Sequence, residues 1–314
     1  MSDNQDITTP SGVKRRHLVG GAALGVIAGA VSGLAGGVAL GQGAVLPQQK
    51  PSGKRRFENK VVIVTGGTSG IGRAASLMFA AEGGRVAFCG RNLERGKQVE
   101  DKVREAGGDG VFIRADLRNE DEVKAFVGRT IKTYGRLDVA FNNAGISIEK
   151  PLHEYAASEF DDVVNTDLRG VFLSMKYEIP HMLDRGGSIV VTSSSNAIAT
   201  TANRSAYSAA KRGLVGLVQA AALDYAQHGI RINTLIPGTT DTPFVRRLAG
   251  MENVPDAAWH VAVAQWAKTH VPGMQRLATA EEIAAFAVTL ASDDHPYTTG
   301  GQFVIDGGKT AHAG

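Results

Sequence analysis

The sequence predicts a single α/β domain, a doubly wound parallel sheet of about seven strands with helices on both faces. Three observations carry this. β-Branched runs recur from residue 60 onward, they are nearly continuous in apolar residues, and helix-length segments separate them. Continuously apolar strands are those buried on both faces. Strands alternating with helices build parallel units with right-handed crossovers.

In chain order, "KVVIVT" leads to "GRAASLMFAAEGG", "RVAFCG" to "LERGKQVEDKVREAGG", and "GVFIRAD" to "NEDEVKAFVGRTIKTYG". "LDVAFNN", "GSIVVTSS" and "IRINTLIP" continue the rhythm, and "GQFVID" supplies the seventh run near the C-terminus. No internal repeat or low-complexity tract appears after residue 50.

The 314 residues are 43% hydrophobic and 21% charged, the balance of a globular chain with a full core. Of the net charge of +3, residues 1–50 carry +2 through Lys14, Arg15, Arg16 and Lys50 against Asp3 and Asp6. The +1 left for the rest is too small for an electrostatic nucleic-acid partner. Cys89 is the one cysteine, so an internal disulfide is impossible and cysteine usage does not identify a compartment.

The first 46 residues stand apart. A polar start, the cationic Lys14-Arg15-Arg16, and a Gly/Ala-rich stretch without charge from Leu18 to Gln49 are the three parts of an export signal. Arg15-Arg16-His17-Leu18-Val19 resembles the twin-arginine (Tat) class, which implies export to the periplasm. "ALGQGA" offers small residues for cleavage. If uncleaved, the apolar run is long enough for a membrane tether facing outward; a Gly-rich tail on a cytoplasmic protein is the alternative. Residues 47–59 are polar, basic and Pro-containing, and are expected to be linker, with the catalytic domain over 60–314.

Thr65-Gly66-Gly67-Thr68-Ser69-Gly70-Ile71-Gly72 lies between the first strand and its helix. Glycines there permit a tight turn and let the backbone approach a pyrophosphate at the helix N-terminus. The spacing, Gly-x3-Gly-x-Gly, departs from the common dinucleotide fingerprint, and alone it is weak evidence. With "NNAG" (Asn142 to Gly145) and Tyr207-x3-Lys211 following in order, the chain resembles the classical short-chain dehydrogenase/reductases over about residues 57–308. The resemblance implies a Rossmann-type fold and a nicotinamide cofactor. Gly66, Thr68, Ser69, Gly70, Ile71 and Gly72 are the expected phosphate loop.

The residue ending the second strand discriminates the two nicotinamide nucleotides, because an acidic side chain there binds the ribose hydroxyls of NAD and repels the NADP phosphate. That position is Gly90, followed by Arg91, whose guanidinium suits a phosphate. NADP(H) is therefore expected over NAD(H). By resemblance, Asp116 and Leu117 contact adenine, Asn143 lies on the adenosine side, and Pro237 and Thr242 belong to the segment at the nicotinamide.

Tyr207 and Lys211 are four residues apart and share a helix face. A phenol ordinarily ionises near pH 10, and an ammonium beside it favours the phenolate. Such a tyrosine can move a proton to or from a substrate oxygen while hydride moves at the nicotinamide. Blind to context, Tyr-x3-Lys is an ordinary helical pair; the serine run before it and the glycine loop change that weighting. The resemblance implies that Lys211 also binds the nicotinamide ribose. Among Ser193, Ser194 and Ser195, the family's spacing of thirteen residues before the tyrosine selects Ser194 to hydrogen-bond the carbonyl. The family's fourth catalytic position, an Asn that holds a helix distortion open, aligns with Asp167, not with Asn165. Ionised, Asp accepts hydrogen bonds but donates none; its charge would strengthen that of Lys211.

Residues 241–276 form the substrate lid in relatives, and here contain Trp259, Trp266 and Met274. The two tryptophans, seven apart, are expected to pack, and Arg246 and Arg247 to be solvated, with contact to an anionic substrate as the alternative. "DGG" (Asp306 to Gly308) is near the region through which relatives form tetramers, which implies a homo-oligomer, tetramer or dimer. Two functions follow: an oxidoreductase acting on a small-molecule alcohol/carbonyl pair, or a non-catalytic nicotinamide-nucleotide-binding redox sensor or scaffold. The Ser194, Tyr207 and Lys211 set favours the first. No metal site is expected, and a membrane only through the N-terminal segment.

Overall fold

A computed structural model describes residues 53–311. The expected export signal lies outside the described residues.

Seven strands form one parallel sheet in the order β3-β2-β1-β4-β5-β6-β9: β1 (Val61–Thr65), β2 (Arg85–Gly90), β3 (Asp109–Arg114), β4 (Val139–Asn142), β5 (Gly187–Thr192), β6 (Ile230–Pro237) and β9 (Gln302–Ile305). A second pair, β7 (Thr240–Asp241) with β8 (Ala278–Thr279), ties the two ends of the lid together. The central strands β1 and β4 are buried at every residue, whereas the edge strand β9 is half exposed. That is the pattern of a sheet covered on both faces.

Alternate strand residues feed two separate cores, as the period of two requires. Val62, Val64, Phe88, Phe141, Val190 and Leu235 face α1 (Gly70–Ala81), α2 (Leu93–Glu105) and α9 (Ala280–Ala291). Ile63, Ala87, Ala140, Ile189, Val191 and Ile232 face α3 (Glu120–Tyr134), α5 (Gly170–Glu178) and α6 (Ser205–Tyr225). A third core fills the lid, where α7 (Pro243–Leu248) and α8 (Asp256–His270) bury Val245, Trp259, Val263 and Trp266. The tryptophans pack, as expected.

Helix starts follow local chemistry. Asn92 caps α2 by accepting from the Arg95 N–H at 2.8 Å, and Thr279 and Glu282 form a capping box on α9. Helix α1 is different: its N-cap Ser69 makes no side-chain capping bond. Between α4 (Ala157–Val164) and α5 the chain passes through a π-helical turn, Asn165–Arg169.

The folded domain begins before Lys60. Phe57, expected in the linker, is fully buried, stacks edge-on to Phe79 at 4.9 Å, and donates its N–H to the Glu82 carbonyl at 3.1 Å. Arg56 pairs with the buried Glu82 at 2.6 Å. One aromatic in a polar run leaves no periodicity, so composition alone misplaced this boundary.

Candidate active site

The strand order reverses at β1, whose neighbours β2 and β4 lead off in opposite directions. Ligands of such sheets bind outside the carboxyl ends of the strands at this point. A cavity of about 630 Å³ opens there, lined from the glycine loop to the lid.

Gly66, Thr68, Ser69, Gly70 and Ile71 line one end. Gly66 has φ +68°, and a Cβ on it would stand 2.8 Å from the Ala144 Cα. Gly72 does not line the cavity; it lies under the loop, where a Cβ would meet the Gly66 carbonyl oxygen at 2.3 Å and Asn143 Nδ2 at 2.7 Å. These contacts close the turn and aim the uncapped N-terminus of α1 at the cavity. Free helical N–H groups and exposed cations suit an anionic phosphate.

Gly90, Arg91, Asn92 and Arg95 continue this wall. A Cβ on Gly90 would stand 2.7 Å from Thr68 Cγ2, so Thr68 takes the room that a side chain at the end of β2 would need. Arg91 is exposed at the rim. Asp116 and Leu117 line the same end, but Asp116 is engaged by Arg118, whose guanidinium hydrogen-bonds its carboxylate at 2.5 and 3.0 Å. Those bonds from Arg118 hold its carboxyl below the usual range against the effect of burial.

Asn143 is fixed by its N–H to Thr65 Oγ1 at 3.0 Å, and its side-chain oxygen accepts from Thr192 Oγ1 at 3.4 Å. Pro237 and Thr242 line the wall across the cavity. The Thr242 hydroxyl caps α7, accepting from the Val245 N–H at 3.4 Å, while its methyl faces Gly70. The lid thus starts against the glycine loop.

Ser194, Tyr207 and Lys211 line the middle. Tyr207 and Lys211 project from one turn of α6, with the ammonium 5.7 Å from the Tyr207 ring centroid. Lys211 donates to the Thr192 carbonyl at 3.1 Å and pairs with Asp167 at 3.2 Å. Asp167, fully buried in the π-helical turn, stands behind Lys211 and does not line the cavity. Its other oxygen accepts the Ile146 N–H at 2.7 Å. Burial pushes its carboxyl up, against the opposing pull of Lys211. Burial also disfavours the Lys211 ammonium, but Asp167 and Tyr207 together outweigh it and the Lys211 pKa is raised. Gly145 keeps this corner open, since a Cβ there would lie 2.8 Å from Asp167 Oδ2.

The three serines differ in what they already bond. Ser193 spends its hydroxyl proton on the Lys211 carbonyl at 2.7 Å. Ser194 Oγ accepts from the backbone N–H and side-chain amide of Asn196 at 3.2 and 3.3 Å, which leaves its own proton to give. Ser195 is buried beside them.

Sequence reasoning missed several groups on this wall: Arg204, Thr239, His270 and Lys309. Arg204 lay three residues before Tyr207 and was the most accessible to it. It also misjudged Arg246, which is not solvated but held between Asp256 at 2.6 Å and Asp241 at 3.8 Å, over the Trp259 ring.

A family model described as "Enoyl-(Acyl carrier protein) reductase" matches residues 66–310. Cyclohexanol dehydrogenase from Acinetobacter sp. is 38% identical over 82% of this chain and 97% of its own. Levodione reductase from Leifsonia aquatica is 37% identical over 82% of this chain and 96% of its own. A crystal structure of levodione reductase superposes with a TM-score of 0.76 at 36% identity, covering 82% of this chain and 100% of that one. With its parallel seven-stranded sheet, the cavity at the carboxyl ends of the strands and these relatives, the chain belongs to the short-chain dehydrogenase/reductase family, and is an oxidoreductase.

Proposed function

We propose that the protein is an NADP(H)-dependent oxidoreductase that interconverts a secondary alcohol and a ketone, with Tyr207 moving the proton. The observation that carries this is the single cavity shared by the glycine loop, Arg91, Ser194, Tyr207 and Lys211. Relatives named for cyclohexanol and levodione support an alcohol or carbonyl substrate.

The residues present suit the cofactor. The uncapped α1 terminus takes a pyrophosphate, and Arg91 beside the side-chain-free Gly90 takes a ribose phosphate. An ammonium has three N–H donors; Lys211 gives one to Thr192 and turns one to Asp167, leaving one for a ribose hydroxyl. Bound there, the nicotinamide supplies the hydride for reduction and accepts it in oxidation. Tyr207 Oη gives a proton to the carbonyl oxygen in reduction and takes it back in oxidation. Ser194 donates to that same oxygen. Lys211 keeps positive charge beside the phenol, and Asp167 is a positioning residue that acts through Lys211. Turnover of a ketone and alcohol panel with NADPH and NADH tests the reading: reduction of ketones with preference for NADPH is expected, and preference for NADH rejects the cofactor assignment.

The same reading makes the protein a homo-oligomer, dimer or tetramer, supported by the exposed Val304 on the edge strand β9 and measurable by light scattering. It also includes export through the Arg15-Arg16 signal. Replacing both arginines by lysine should hold the protein in the cytoplasm, and fractionation finding both forms in one compartment rejects export.

A further inference from the structure

The cavity wall around Tyr207 carries charge of one sign. Arg204, Arg247 and Lys309 line it there, whereas Asp116, the one acidic side chain of the lining among the described residues, sits at the Arg91 end. Two of these cations differ in how they are balanced. Arg204, at the N-terminus of α6, pairs with Glu149 at 2.7 Å. The Lys309 ammonium donates to a neutral group, the Thr239 hydroxyl, at 3.2 Å.

Asp306, the carboxylate on the same tail, is committed elsewhere. It accepts the Gly308 N–H at 2.9 Å, the Thr310 N–H at 2.8 Å and the Thr310 hydroxyl at 2.6 Å. These bonds curl the chain after β9 into a tight turn. The turn is pinned to the end of the lid by the Met274 N–H, which donates to the Gly307 carbonyl at 2.8 Å. Lys309 is thus placed on the wall by a braced turn rather than by a loose terminus. Burial pushes its amine down to about 8, the neighbouring Arg204 cation adds to this, and Asp306 only partly opposes it. Among the described residues no carboxylate pairs with this largely buried ammonium, which is costly, and an anion entering the cavity removes that cost.

We propose that Lys309, with Arg204 beside it, binds a carboxylate carried by the substrate, so that the protein prefers oxo acids and hydroxy acids to neutral ketones and alcohols. The proposal rests on the alcohol/ketone reading of the site given above. It differs from phosphate recognition at Arg91, on the far end of the cavity.

The test compares 4-oxocyclohexanecarboxylate with cyclohexanone, two ketones that differ by the carboxylate. Wild-type kcat/KM with NADPH at pH 7 should favour the oxo acid at least tenfold. Lys309→Met should cut that ratio at least tenfold, and Lys309→Arg, which keeps the charge, should retain most of it. A ratio near one in the wild type, or unchanged in Lys309→Met, overturns the proposal. So does a loss confined to NADPH affinity, measured by fluorescence titration, since that assigns Lys309 to the cofactor. If neither ketone turns over, the catalytic reading fails, and calorimetry of the oxo acid on NADP-loaded protein still decides the site. Binding weakened tenfold in Lys309→Met supports it, and equal binding or none overturns it.

Discussion

Asp167 and Lys211 form an ion pair of 3.2 Å in which both side chains are almost wholly removed from solvent. The carboxylate comes from a π-helical turn and the ammonium from α6, so the pair clamps the two segments behind the cavity wall that carries Tyr207. Removing one partner of such a pair strands the other in a medium that cannot solvate it.

Asp167→Ala should therefore cost about 3–5 kcal/mol of stability, since it also orphans the Ile146 N–H. Asp167→Asn keeps an acceptor for that N–H and should cost clearly less. Urea unfolding of the three proteins measures both, and an Ala variant as stable as the wild type contradicts the clamp.

Among the serines, Ser194→Ala should depress kcat/KM most, because Ser193 already gives its proton to the Lys211 carbonyl whereas Ser194 only accepts and keeps its own. Ser195→Ala should stay near wild type. Steady-state kinetics giving the reverse ranking would move the carbonyl contact to Ser195.

Arg91→Asp should raise KM for NADPH about ten- to 150-fold and change that for NADH little, as a charge-assisted phosphate contact is worth roughly 1.5–3 kcal/mol. Equal changes for both nucleotides contradict the assignment. The complementary change at Gly90 is a poor test, because any side chain there meets Thr68.

Glu178, fully buried at the end of α5, accepts from the Asn142 side chain at 2.8 Å, and burial pushes its carboxyl up to about 7 from an ordinary 4.5. A raised folded pKa means that the folded state holds the proton more tightly than the unfolded chain. Its contribution to stability is thus largest at low pH and falls as pH rises through about 4.5 to 7, by on the order of 3 kcal/mol in all. Glu178→Gln should be more stable than the wild type at pH 8 and gain much less at pH 5. An equal gain at both pH values in urea titrations would sink this.

Much of the architecture was legible because buried parallel strands leave long β-branched runs, and all seven strands of the sheet coincide with such runs. The pair β7·β8 left none, being two residues per strand. The motif residues around Tyr207 were legible because they share one helix and its approach. Asp167 was legible by alignment, but its placement behind Lys211 depends on a π-helical turn that side-chain periodicity does not encode. Lys309 was invisible for a similar reason. Nothing in "DGGKT" tells that the tail curls on Asp306 and returns to the wall of the cavity.

The central claim is that Tyr207 Oη moves the proton, and Tyr207→Phe tests it most directly, because the phenyl ring keeps its packing beside Phe244, 6.3 Å away between centroids. The measurement is kcat for ketone reduction alongside NADPH affinity by fluorescence titration. The account predicts a fall of about 10²–10⁴ in kcat with NADPH affinity near that of the wild type. A variant that turns over at the wild-type rate contradicts it.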